Sequence, residues 1–76
     1  MSRHHHKAYR LELLECLYDS MEANPGRGAV WPRSLPKDGD LAFALWYLED
    51  RGLVGRMGLK VHITAAGVDV VEASSD

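Results

Sequence analysis

The sequence has little of several things that would announce a function. Its single cysteine, Cys16, has no partner in the chain, which excludes an internal disulfide. No apolar run approaches the roughly 20 residues needed to span a bilayer. The basic residues at the N-terminus are followed by no apolar stretch, so no secretory signal is expected. A membrane partner is accordingly not expected, and the cytoplasm is the expected compartment. The net charge of −2 lacks the basic excess of a chain that coats nucleic acid. A chain of 76 residues allows one domain at most and leaves little room for a catalytic cleft, so no enzyme is expected. The glycines of "NPGRG" and "GRMGLK" do not match a phosphate-cradling loop.

What the sequence does have is order. Apolar residues make up 46% of the chain, enough for a core. Cations cluster in 1–10, 24–37 and 51–60, whereas acids dominate 11–23, 38–50 and the region from 61 onward. The spacing predicts a helix from about Lys7 to Ala23, with Leu11, Leu14, Leu17, Tyr18 and Met21 on one face. A second strip, Tyr9, Leu13 and Cys16, lies to one side of it and is a candidate interface. "NPG" at 24–26 ends the helix, because proline cannot continue it and glycine accepts a left-handed turn. Residues 26–37 read as a loop with at most one helical turn near Ser34, and Ala29–Trp31 as a short extended piece. Trp31 reads as a plug for the core or a cover over Phe43 and Trp46.

A second helix is predicted from Asp38 or Gly39 to Arg51, with Asp38 as N-cap and Gly52 as its left-handed stop. Two short strands follow, Leu53–Met57 and Leu59–Thr64, turning near Gly58, with Leu59, Val61 and Ile63 on one side. Thr64 can cap a last helix carrying Val68 and Val71 on one face. The expected organisation is a disordered arm over 1–6, a domain over 7–73 and a loose tail over 74–76. The expected fold class is mainly α with a small two-stranded β-hairpin.

The stretch "DLAFALWYLEDRGLV" and the later "ITAAGVDVVE" carry a resemblance. Leu41, Leu45, Leu48, Gly52, Leu53 and Val54 fit an L-x-x-x-L-x-x-L-x-x-x-G-L-[IV] phrase, and Ile63, Thr64, Gly67 and Glu72 fit I-T-x-x-G-x-x-x-x-E. In this order they resemble the winged helix-turn-helix superfamily of bacterial and phage transcription regulators. The opening "MSRHHH" and the size also look like small winged-helix proteins of Mu-like prophages. The resemblance covers residues 7–73. It implies three helices plus a wing, helix 38–51 as recognition helix, Met57-Gly58 as wing tip, and double-stranded DNA as partner. The chain departs from the pattern in its middle helix, cut to one turn, in its short wing, and in a recognition helix with no cation between Asp38 and Asp50.

On that helix Leu41, Ala44, Leu45 and Leu48 form the core stripe, with Phe43, Trp46 and Asp50 opposite. Base readout usually presents Arg, Lys, Asn or Gln on such a face. Two readings stay open. In one, Arg33, Lys37, Arg56 and Lys60, with Arg3, Lys7 and Arg10 of the arm, grip DNA phosphates. In the other, Phe43 and Trp46, with Tyr9, Leu13 and Cys16, make an interface with a second copy or another protein. No cofactor is expected. His4, His5 and His6 are adjacent residues on a flexible arm and make a poor metal site, and His62 reads as a rim residue on its strand.

Overall fold

A computed structural model describes residues 3–74 of the chain. It holds three α-helices and one antiparallel hairpin: α1 (Arg3–Ala23), α2 (Leu41–Asp50), β1 (Val54–Met57), β2 (Lys60–Ile63) and α3 (Ala65–Ser74). A 3-10 turn at Pro32–Ser34 stands where a middle helix would be. The layout is mainly α and winged-helix-like. Of the expected arm and tail, residues 1–2 and 75–76 lie outside the described residues.

The helix α1 begins at Arg3 rather than near Lys7. Residues of the expected arm have tertiary partners that hold the extra turn. His5 Nε2 lies 2.7 Å from the Asp38 carbonyl oxygen, and the His6 ring meets Phe43 edge-on at 5.1 Å. The buried side of α1 is wider than a single stripe, comprising Tyr9, Leu13, Leu14 and Leu17. Tyr9 and Leu13 therefore belong to the core and not to an interface, which corrects the sequence expectation. The loop before α2 folds over that strip: Leu35 is buried, the Tyr9 hydroxyl donates to the Pro36 carbonyl at 2.5 Å, and Gly39 lies against the Tyr9 ring. Cys16 is half-buried and packs on the same core.

Val30 makes a two-way bridge to Val61, N to O at 2.8 and 2.9 Å, so the extended piece at 29–31 adds one rung beside β2. The helix α2 starts three residues later than Asp38. Asp40 is its N-cap, accepting from the Phe43 amide at 3.1 Å, while the Asp38 carbonyl is turned toward His5. Ala44, Leu45 and Leu48 face inward, as the leucine spacing requires. Gly52 stops the helix at φ +74°, and Gly58 turns the hairpin at φ +64°.

In the hairpin Val54 stands opposite Ile63 and Met57 opposite Lys60. Val54, Val61 and Ile63 fill the core, but Leu59 sits in the turn between β1 and β2 and is 72% exposed. The alternation that groups it with Val61 fails because the core ends before the tip. Thr64 then joins three elements. Its hydroxyl donates to the Gly52 carbonyl at 2.6 Å and accepts from the Gly67 amide at 3.2 Å, capping α3. Its own amide bonds the Leu53 carbonyl at 3.0 Å.

Gly67 is the tight point of that junction. A Cβ there would overlap the Leu53 carbonyl oxygen and come within 2.6 Å of Ile63 Cγ1. Alanine should favour a helical site by about 1 kcal/mol, but overpacking against backbone costs about 1–3 kcal/mol. The clash should win, so Gly67→Ala is expected to lower the urea midpoint. A raised midpoint would show that Leu53 can move aside.

Candidate interaction surface

The outer face of α2 is apolar and open. Phe43 is 42% and Trp46 57% exposed, and their rings stack at 5.8 Å with 25° between planes. The helix periodicity that turns Leu45 and Leu48 inward turns these two rings outward. Trp46 borders a shallow groove completed by Ala42, Glu49, Asp50 and Arg56, where α2 meets the hairpin. Met57 and Leu59 at the hairpin tip are also exposed. Tryptophan, phenylalanine, methionine and arginine are the residue types enriched in the centres of protein interfaces.

The charges around this face are mostly negative. Asp40 caps the helix and Asp38 precedes it. Glu12 of α1 is held above the usual carboxylate range, first by desolvation and then by the neighbouring Asp38 charge and a hydrogen bond to it. Acids at the N-terminal end of α2 oppose the approach of phosphate.

The cations expected to grip DNA are divided by the fold. Arg56 is engaged by Glu49 in a two-pronged contact, Nε to Oε1 at 2.8 Å and Nη2 to Oε2 at 3.1 Å. Arg33 and Lys60 do converge, each 5.4 Å from the centre of the Trp31 ring. Trp31 is thus neither a core plug nor a cover on Phe43; it is 41% exposed and lies between two cations. Lys37 is exposed in the loop. The side chain of Arg3 lies outside the described part, and Lys7 and Arg10 sit at a different groove, with Tyr47, Arg51 and Val70. Of the expected interface residues, only Phe43 and Trp46 are on open surface, with Cys16 half-covered and its thiol pushed up by burial, then by Glu12.

Sequence reading missed Tyr47. Arg10 lies 4.0 Å and Arg51 5.9 Å from the centre of its ring. The available signal was the spacing of Lys7, Arg10, Leu11 and Leu14, which share one helical side. Among the described residues, no three His, Cys, Asp or Glu side chains converge to hold a metal ion, and no helix is long and apolar enough to cross a membrane. Compared with protein-family models, with curated proteins and with solved structures, the chain matches none.

The Arg56–Glu49 pair ties the hairpin to α2, with its side chains 47% and 29% exposed. Exposed pairs contribute roughly 0–1 kcal/mol. Replacing Glu49 with Gln should therefore shift stability by no more than about 1 kcal/mol, read by urea denaturation. A larger loss would mean that the pair fixes the hairpin against the helix.

Proposed function

We propose that this chain is a winged-helix-like interaction module that assembles with a second copy of itself through the outer face of α2. The observation that carries the reading is the stacked, exposed pair Phe43 and Trp46 on a helix whose opposite side is committed to the core. Full burial of such a side chain contributes on the order of 1.5–3 kcal/mol, and withdrawing the part of Phe43 and Trp46 that is still exposed contributes about half of that each. The border of the patch carries charges of both signs where α2 meets the hairpin. It holds one cation, Arg56, and a carboxylate, Asp50, beside the Arg56–Glu49 pair. A two-fold axis brings the same patch of two copies together, so the Nη1 donors of Arg56 left over from its contact with Glu49 can meet Asp50 of the other copy. A domain of this size also buries a small fraction of its surface alone, and pairing offsets that.

A second reading is favoured by one observation, the convergence of Arg33 and Lys60 on Trp31. In that reading the chain is a small transcription regulator of the winged helix-turn-helix kind. The cations contact duplex phosphates, and Trp31 supplies apolar contact at the backbone. It does not require a polar recognition face on α2, only a neighbouring phosphate path.

Sedimentation equilibrium over a range of concentrations separates the two. Wild-type mass should rise from the 8.5 kDa of one chain toward twice that value. A Phe43→Ser/Trp46→Ser double variant should stay at one chain with an unchanged helical circular dichroism signal. A folded wild type that remains monomeric at millimolar concentration overturns the assembly reading. For the DNA reading, duplex binding should weaken steeply with salt, and Arg33→Ala should reduce the log–log salt slope by about 1. No binding to any duplex at low salt removes it.

A further inference from the structure

A second groove, separate from the Phe43–Trp46 face, runs between α1, the C-terminal half of α2 and α3. Its volume is about 480 Å³, within the roughly 300–1,000 Å³ range of small-molecule sites, which often form between packed helices. The floor is aliphatic: Leu11 and Leu14 from α1, Leu48 from α2, Leu53 after the Gly52 stop, and Val70 from α3. The polar side chains at its edge include Lys7, Arg10 and Arg51, and among the described residues no Asp or Glu lines it. In a chain with more acids than cations, the described lining of this groove is positive.

The arginines are held in place without being neutralised. Both stand over the single ring of Tyr47, Arg10 at 4.0 Å and Arg51 at 5.9 Å. A guanidinium stacked on a ring keeps its in-plane N–H donors available. Among the described residues, the ion pair at Arg56 engages neither arginine, and Lys7, Arg10 and Arg51 have no carboxylate within ion-pair distance. Screening of the α2 C-terminal carbonyls would call for one such cation. It does not account for three around an aliphatic floor.

We propose that this groove is a binding site for a free amphipathic carboxylate, with an unbranched aliphatic chain on the leucine floor and its carboxylate held by Arg10 and Arg51. The like charges repel each other, and an anion between them relieves that repulsion. Charge-assisted bonds from arginine to carboxylate fix the head group. A sugar or nucleotide fits poorly, because its hydroxyls would lie unsatisfied against Leu11, Leu53 and Val70.

The test is a titration of the full chain with decanoate, below its micelle concentration, followed by amide chemical shifts. Saturable shifts are expected at Ala8, Leu11, Leu53 and Val70. Decanol should bind about tenfold more weakly and acetate should give no saturable shift, because the site needs both charge and chain. An Arg10→Gln/Arg51→Gln variant should lose about tenfold in decanoate affinity while keeping its circular dichroism spectrum. Ala8→Phe, which fills the groove, should abolish binding. The Trp46→Ser change should leave the titration unaltered, which keeps this outcome separate from the assembly reading. Equal affinity for decanol and decanoate, indifference to loss of both arginines, or binding to anionic vesicles without binding to free decanoate would each overturn the proposal.

Discussion

The structure depends on the burial of one broad side of α1. Leu13 and Leu17 are completely enclosed, with Leu48 of α2 and Val61 of β2 the other large side chains enclosed to the same degree. That arc is too wide for one neighbour to cover, so α2, β2 and α3 each pack against part of it. Truncating a leucine at its centre would cost about 2–5 kcal/mol, a large share of the stability of a small domain. Every surface feature that remains available for function is what this central packing leaves over.

The consequence for α2 is direct. Its inward stripe is fixed by the core, and among the described residues the ring contact from outside the helix to its outer aromatic pair is the His6 edge on Phe43. Aromatic rings on such a face are expensive to leave in water. Nearby acids make the same face a poor match for a phosphate backbone. Apolar exposure and charge at this surface both favour the proposed pairing over contact with a phosphate backbone.

Charge is distributed by the fold in a manner the totals conceal. Arg56 is occupied by Glu49, Arg33 and Lys60 gather on Trp31, and Arg10 and Arg51 gather on Tyr47. One tryptophan and one tyrosine ring thus act as collecting points for cations that the sequence scatters over three segments. Cation–π contacts of this kind are weak at exposed sites, about 0.5–1 kcal/mol. They suffice to set where a flexible side chain rests.

The linear sequence by itself determined the order of the elements and where several of them stop or turn. Leucine spacing marked the helices, Gly52 and Gly58 marked the stop and the turn, and Thr64 marked the cap, because these are local properties of backbone and side chain. The inward placing of Leu45 and Leu48 and the outward placing of Phe43 and Trp46 follow from the same periodicity. Only the tertiary structure decided that Tyr9 and Leu13 are core, because their cover, the 35–39 loop, is brought over them by long-range contacts such as Tyr9 to Pro36. Only the tertiary structure decided the start of α1, the choice of Asp40 over Asp38 as cap, and the gathering of Arg10 and Arg51 on Tyr47. Each depends on residues far apart in the chain meeting in space, and no local pattern encodes which distant side chain will be the neighbour.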